Sequence, residues 1–89
     1  MDMIRARESM YKLERDTIKS WMNEINCHET VGYWYDYCNK NLVLYTNCPG
    51  RLIGKGGRDI EILRNILKEQ MVGNWTVELS EIKGGFVTA

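Results

Sequence analysis

The stretch that decides the fold is residues 48–63, CPGRLIGKGGRDIEIL. It holds four of the eight glycines in the chain and its only proline. Glycine at this density indicates either that the chain turns where a Cβ would clash, or that another molecule approaches the main chain closely. The surrounding residues distinguish these two explanations.

The positive charge of the chain is concentrated around this stretch. The 89 residues carry no formal net charge, but residues 51–68 hold five Lys or Arg against two Asp or Glu, a net charge of +3. Residues 1–50 sum to −1 and residues 69–89 to −2. With 44% hydrophobic and 27% charged residues, the composition is typical of one globular domain spanning residues 1–89.

Features of export or membrane insertion are not evident in the sequence. The N-terminal residues MDMIRARESM are charged and lack the apolar run of a signal peptide. No stretch is apolar over the length of a membrane span. The three cysteines, Cys27, Cys38 and Cys48, are odd in number and not closely spaced, which suits a reducing compartment. We therefore expect a cytoplasmic protein without a membrane partner.

The residues before the glycine stretch predict a helix and a hairpin. Residues 3–26 have the spacing of an amphipathic leading helix with one buried apolar stripe. That stripe consists of Met10, Tyr11, Ile18, Trp21, Met22 and Ile25. The segment TVGYWYDYC is rich in β-branched and aromatic residues, and the turn signal Asn39-Lys40-Asn41 separates it from LVLYTNC. We therefore expect two antiparallel strands joined by a turn.

The residues from Pro49 onward predict two helices and a third strand. Pro49 suits the first position of a short helix that ends at the glycines. RDIEILRNILKEQMV then forms an amphipathic helix capped by Gly73, with a stripe of Ile60, Leu63, Leu67 and Met71. NWTVELSEI alternates apolar and polar residues as a strand does, and residues 83–89 form a loose tail.

The element order α-β-β-α-α-β predicts the fold class. Two helices separate the second and third strands, and this crossover is long enough to place the two strands parallel. We therefore expect an α+β fold in which one three-stranded mixed sheet carries the helices on one face. The glycine loop then lies at an exposed corner between two helices, where a ligand can reach it.

Three known types of glycine-rich binding loop can be compared with the sequence of this stretch. A phosphate-binding P-loop needs four residues between its first two glycines and a Ser or Thr after its lysine, whereas here a glycine follows Lys55. A dinucleotide fingerprint needs a glycine where Asp59 stands. The G-x-x-G pattern of a loop between two helices does match, at residues 54–57.

The run TNCPGRLIGKGGRDIEILRNIL resembles the core of a K-homology (KH) domain. The element order is similar to the type II form, best known from a small-subunit ribosomal protein. The resemblance covers residues 31–82, with the KH core at residues 30–82. The chain differs from that ribosomal family in lacking a second domain and in being neutral, so we expect a free-standing or accessory module and no structural ribosomal role.

The resemblance implies binding of single-stranded RNA, with the loop clamping the backbone of about four unpaired nucleotides. Single-stranded DNA is an alternative ligand that the resemblance does not exclude. The glycines would let phosphates approach the main chain, and the amides that open the second helix would face an anion. Ile53 and Ile60 would form an aliphatic floor beneath the bases, unless both are core residues. The expected nucleic-acid contacts are Gly54, Lys55, Gly56, Gly57, Arg51, Ile53, Arg58 and Ile60.

Simpler interpretations exist for each of these residues. The glycines can form a tight turn, and Arg51 and Arg58 can be ordinary charges at a helix end. Tyr33, Tyr35 and Tyr37 share one strand face, where they form either a stacking platform for bases or part of the core. A KH-like fold can also serve protein contact or self-association without nucleic acid, so a protein partner or a homodimer is the alternative function.

Metal binding and catalysis are not expected. Cys27, His28, Cys38 and Cys48 can be counted as four zinc ligands, but their spacing does not match a zinc module. A single histidine, with no paired nucleophile or carboxylates, provides no catalytic machinery. We expect a binding module that is not an enzyme and that needs no cofactor.

Overall fold

The computed structural model describes the backbone of residues 3–82 and the side chains of residues 9–82, so the tail predicted at residues 83–89 lies outside the described residues. The predicted order α-β-β-α-α-β is confirmed. The elements are α1 Met3–Glu24, β1 Gly32–Asp36, β2 Asn41–Thr46, α2 Pro49–Ile53, a 3-10 turn Lys55–Gly57, α3 Arg58–Gln70 and β3 Thr76–Glu81. Among the described helices, none combines the length and the apolar character needed to cross a membrane.

The three strands form one mixed sheet in the order β1-β2-β3. β1 runs antiparallel to β2, and β3 runs parallel to β2. Tyr35 pairs with Leu42, which pairs with Val77 on the other side, so these three side chains share one face. The predicted hairpin and parallel crossover are both confirmed.

One face of the sheet carries the core, and all three helices contribute to it. The buried cluster consists of Ile18, Trp21, Ile25, Cys27, Tyr35, Leu42, Leu44, Leu52, Ile60, Leu63 and Leu67. Trp21 from α1, Leu52 from α2 and Leu63 from α3 are fully buried there. The helices therefore pack on one face of the sheet, as the alternation of the strands and the stripes of the helices predict.

α1 ends through a hydrogen-bonded cap around Asn26. The Cys27 N–H donates to the Met22 carbonyl at 2.9 Å, and the Asn26 N–H donates to the Asn23 carbonyl at 3.1 Å. Asn26 has a φ of 56°, the left-handed conformation that this type of C-terminal cap requires. The cap stops the helix and directs the chain, through buried Cys27, toward β1.

The prediction that Met10 and Tyr11 belong to the buried stripe is wrong, because both side chains are exposed. The reason is length. The 22 residues of α1 span about 33 Å, whereas strands of five or six residues span about 20 Å. The second half of α1 therefore packs on the core, and the first half extends past it.

Two connections differ from their predicted form. The turn between β1 and β2 comprises residues 37–40, and Asn41 is already the first residue of β2. α3 ends at Gln70, and Met71 is extended (φ −111°, ψ 145°) and packs against the core. The predicted cap at Gly73 is therefore wrong. Gly73, with a φ of 96°, lies in the connection to β3.

Candidate functional site

The first glycine of the G-x-x-G loop, residues 54–57, ends α2. Gly54 has φ 76° and ψ 175°, a backbone conformation essentially restricted to glycine. Its N–H donates to the Gly50 carbonyl at 3.1 Å. A Cβ at Gly54 would lie 2.5 Å from Cγ of Asp59. Both the conformation and the close approach of Asp59 therefore require a glycine here.

The other two glycines of the loop present an unobstructed backbone. Gly56 (φ 66°) and Gly57 (φ 78°) both have left-handed conformations, and the Gly57 N–H donates to the Gly54 carbonyl at 3.2 Å. A Cβ built on either residue would meet no atom within 4 Å. Another molecule can therefore approach the main chain at these two positions.

The loop leads directly into α3. No side chain caps this helix at Gly57, so the amides of its first turn lack the side-chain acceptor that usually satisfies them. The helix is 13 residues long, and the positive end of its dipole lies at the loop. Asp59 and Glu61 in the first turn reduce the positive potential at this position. The arrangement favours an anion, although less strongly than an N-terminus without carboxylates.

The cations at and near this site have different surroundings. Lys55 and Arg58 are exposed, and neither forms an ion pair within residues 9–82, whose side chains the structure describes. Arg64 is paired with Glu61 at 3.2 Å. Nη2 of Arg51 donates to the Asn26 carbonyl at 2.6 Å, which links α2 to the end of α1. Lys55 and Arg58 can therefore contact a ligand without breaking an existing contact. Arg51 can do so only if it gives up its hydrogen bond to the Asn26 carbonyl.

The two isoleucines predicted as a floor for bases are placed differently. Ile53 is 38% exposed at the end of α2, next to the loop. Ile60 is 6% exposed and belongs to the core cluster. The structure brings Ile53 to the same surface as the glycines, whereas Ile60 supports that surface from below.

Two contacts that support the loop were not predicted from the sequence. Nε1 of Trp21, which is fully buried in α1, donates to the Asp59 carbonyl at 2.8 Å and so holds the first turn of α3. Oγ1 of buried Thr46 accepts the Cys48 N–H at 3.0 Å, just before α2 begins. The buried stripe indicates that Trp21 faces the core, but no local pattern shows which carbonyl its indole contacts.

A sequence model of the KH domain family matches residues 39–84, slightly more than half of the chain. The chain belongs to the KH domain family. The match includes the loop, both flanking helices, β2 and β3, and it begins after β1, so α1 and β1 lie outside it. No curated protein and no solved structure matches the chain.

Membership of the KH family supports nucleic-acid binding as the general function. KH domains are binding modules rather than enzymes, and the G-x-x-G loop is their contact with the nucleotide backbone. The open backbone at Gly56 and Gly57 and the unpaired cations Lys55 and Arg58 lie within the matched residues.

Tyr33, Tyr35 and Tyr37 of this KH domain lie on the sheet face that the helices cover. Tyr35 is buried, with its ring centroid 5.8 Å from that of Tyr33 and 6.2 Å from that of Tyr37. Its hydroxyl donates to the Glu14 carbonyl at 3.1 Å, and the Tyr37 hydroxyl donates to the Glu14 carboxylate. Burial, followed by the Glu14 charge, raises the pKa of Tyr35, and burial with the hydrogen bond to Glu14 raises the pKa of Tyr37. These rings therefore pack α1 against β1.

The cysteines of the KH domain are dispersed. Cys27 is buried, Cys38 is exposed and Cys48 is half-buried. The ring Nε2 of His28 lies 3.2 Å from Oδ1 of Asn26. Within the part of the chain that the structure describes, no three His, Cys, Asp or Glu side chains gather closely enough to hold a metal ion.

Proposed function

We propose that this KH domain binds unpaired RNA and holds the backbone of about four nucleotides at the loop formed by residues 54–57. The observation that carries the proposal is the open main chain at Gly56 and Gly57 beside Lys55 and Arg58. A phosphate can approach these glycines without meeting a side chain, and neither neighbouring cation is ion-paired with a carboxylate within residues 9–82.

The proposed phosphate contacts combine main-chain and side-chain donors. The amides at the start of α3 supply directional donors and the positive end of the helix dipole. Lys55 supplies a point charge within the loop, and the guanidinium of Arg58 offers donors to a second phosphate oxygen. Arg51 would join them only by exchanging the Asn26 carbonyl for a phosphate.

The bases are proposed to lie against Ile53, the exposed aliphatic side chain beside the loop. Ile60 contributes indirectly, because it lies in the first turn of α3 and packs into the core. β3, which contacts α2, is proposed to form the opposite side of the binding surface. RNA is preferred over DNA in this proposal because of the resemblance to the type II KH domain of a ribosomal protein, and a deoxy oligonucleotide of the same sequence is the comparison that tests it.

The number of available cations limits the affinity. Each phosphate contact on a single strand contributes about 0.7 to the slope of log affinity against log salt, so Lys55 and Arg58 give a slope of about −1.4. With Arg51 the slope becomes about −2. We expect modest affinity, on the order of micromolar or weaker, unless two or more copies bind the same strand.

The proposal is tested by mapping amide chemical shifts during titration with a pool of short unstructured RNAs. The loop variant carries Lys55→Asp and Gly56→Asp. Gly56 has open space around its Cβ position and a left-handed backbone that Asp tolerates better than most residues, so the fold should be retained. The matched control carries Asn65→Asp and Lys68→Asp, the same change in charge at exposed positions farther along α3.

We expect shifts centred on residues 50–63 and on β3 in the wild-type protein and in the control. The loop variant should lose at least about tenfold in affinity, because charge-assisted hydrogen bonds contribute about 1.5–3 kcal/mol each. Far-ultraviolet circular dichroism checks that both variants are folded. Equal binding by the loop variant and the control would show that the loop is not the binding site.

A further inference from the structure

A second concave surface lies at the other edge of the sheet from α2 and β3, between α1 and β1. We name it the α1–β1 groove. Its volume is about 660 Å³, and its walls include Met10, Tyr11 and Glu14 of α1 and Tyr33, Trp34 and Tyr37 at β1. These residues precede residue 39, where the KH family match begins, so the family's function does not account for the groove.

Large apolar side chains are exposed along this groove. Tyr11 is 64% exposed and Trp34 is 62% exposed, and Met10 and Tyr37 are also exposed. These four are a majority of the seven large hydrophobic side chains that are exposed within the described residues. Single exposed apolar residues are ordinary on a protein surface, but a contiguous group of them marks an interaction surface.

The groove borders β1, an edge strand whose outer edge is unpaired within the described residues. Within residues 3–82, no strand pairs with the outer edge of β1. β1 pairs with β2 without interruption from Gly32 to Asp36, so it contains no bulge, and it has neither Lys nor Pro. Bulges, lysines and prolines are among the features that keep edge strands single, and of the others β1 has a short length and one charge, Asp36 at its end. The outer edge of β1 can therefore accept another strand.

The charges beside the groove indicate what kind of molecule fits it. Glu14 and Asp36 lie in its wall, and Lys12 and Arg15 lie beside Tyr11 on an adjoining part of the surface. Asp16 adds a third carboxylate, because it pairs with Arg15 at 3.6 Å, so this surface has no net positive charge, which disfavours a nucleic acid. A surface with both signs can pair with an identical surface when the two-fold axis places the positive part of one copy against the negative part of the other.

We propose that a second copy of this chain docks on the α1–β1 groove by antiparallel pairing of the two β1 strands. Two identical edge strands related by a two-fold axis perpendicular to the sheet are necessarily antiparallel. Their pairing joins the two sheets into one of six strands and buries Tyr11 and Trp34 of each copy at the contact. α2 and β3 stay on the outer edges, so both loops remain accessible.

The functional consequence rests on the proposed function. A dimer of this form carries two G-x-x-G loops, so one RNA strand can engage both of them. The second contact then becomes intramolecular and raises the overall affinity without any new contact to RNA. The self-association itself does not depend on RNA, and the first experiment is therefore made without it.

Sedimentation equilibrium from micromolar to millimolar protein concentration tests the proposal. The variants are Tyr11→Lys and Trp34→Lys, which add a cation at exposed positions of the groove and, for Trp34, on the edge strand itself. The control is Val72→Lys, which introduces the same side chain at a position that is 91% exposed and outside the groove. We expect each groove variant to raise the dimer dissociation constant at least about tenfold, as truncating buried Tyr or Trp at interfaces does, and Val72→Lys to leave it unchanged.

Hydrogen exchange of the β1 amides provides a second measurement that needs no variant. Protection of residues 32–36 should increase with protein concentration. A protein that stays monomeric at millimolar concentration would overturn the proposal and leave the groove to an extended segment of another protein. A dimer that Tyr11→Lys and Trp34→Lys do not weaken would overturn it as well. The Lys55→Asp, Gly56→Asp variant should dimerise as the wild type does, which separates this proposal from RNA binding.

Discussion

The G-x-x-G loop and the α1–β1 groove are formed in different ways. The loop consists of backbone in conformations that glycine favours, with three positive φ angles in four residues. The groove consists of ordinary helix and strand, and its character comes from exposed side chains such as Tyr11 and Trp34. A surface made by the backbone depends on the core that holds it, whereas a surface made by exposed side chains can be altered with little effect on stability.

α1 supports both surfaces with different residues. Trp21, in its second half, donates to the Asp59 carbonyl and so supports the loop. Glu14, near its middle, accepts hydrogen bonds from Tyr35 and Tyr37 and so positions α1 beside β1. Substitutions in this one helix should therefore affect the two surfaces separately.

The largest effect is expected from Trp21→Phe. This change removes the donor to a part-buried carbonyl and leaves a cavity, so the free energy of unfolding should fall by about 2–3 kcal/mol. Trp34→Phe is the matched control at protein concentrations below the dimer dissociation constant, because it makes the same change at a site that is exposed in the single chain and should cost less than about 0.5 kcal/mol. Urea unfolding measures both. Equal losses in the two variants would contradict the assigned role of Trp21 in the core.

Gly54→Ala should have the next largest effect. Its conformation is essentially restricted to glycine and its Cβ would press on Asp59, so a loss of about 2–3 kcal/mol is expected. Gly56→Ala, in open space with a left-handed backbone, should cost about 1 kcal/mol. The double variant Gly54→Ala, Asp59→Ala separates the two causes, because it removes the contact but keeps the backbone strain. If Gly56→Ala lowers the free energy of unfolding as much as Gly54→Ala does, the backbone conformation and the Asp59 contact at Gly54 do not have the assigned effect.

Arg58→Gln should change the salt dependence of RNA binding. Losing one phosphate contact lowers the magnitude of the salt slope by about 0.7. Arg64→Gln is the control, because Arg64 is paired with Glu61 and should contribute less. Titrations at several salt concentrations measure the slopes. A decrease of similar size in both variants would indicate diffuse attraction by the whole of α3 rather than contacts at the loop.

The smallest effect is expected on the stability of the protein at alkaline pH, through Tyr35 and Tyr37 beside the α1–β1 groove. The pKa values of Tyr35 and Tyr37 are raised in the folded state, mainly by burial and then by Glu14. Their contribution to stability is complete below about pH 10, the ordinary pKa of tyrosine, and is lost as the pH rises above it. Unfolding free energies at increasing alkaline pH should therefore fall less steeply in Tyr37→Phe than in the wild type.

Glu14→Gln serves as the comparison for this pH effect. It removes the carboxylate that accepts the Tyr37 hydroxyl, so it should reduce the same part of the pH dependence. Tyrosinate absorbance followed in parallel reports ionisation directly. An unchanged alkaline slope in both variants would mean that the contact between Glu14 and Tyr37 does not hold α1 to β1.

Much of the fold and part of the site could be predicted because their signals are local. Pro49 at the first position of α2, the glycines that end it and the apolar stripe of α3 each depend on neighbouring residues. The same holds for the alternation in the strands. The predictions for Met10, Tyr11 and Gly73 were wrong because the sequence pattern continues beyond the edge of the core. Periodicity shows which face of a helix is apolar, but it does not show how far the core extends along that helix.

The sequence by itself determined the element order, the position of the G-x-x-G loop and membership of the KH family, because these follow from which residues adjoin one another. Only the tertiary structure decided that Ile53 is exposed and Ile60 buried, that Arg51 contacts Asn26, and that Trp21 supports Asp59. These facts depend on contacts between residues distant in the chain. Such contacts form only when the helices pack on the sheet, because burial and hydrogen-bond partners are properties of the packed molecule.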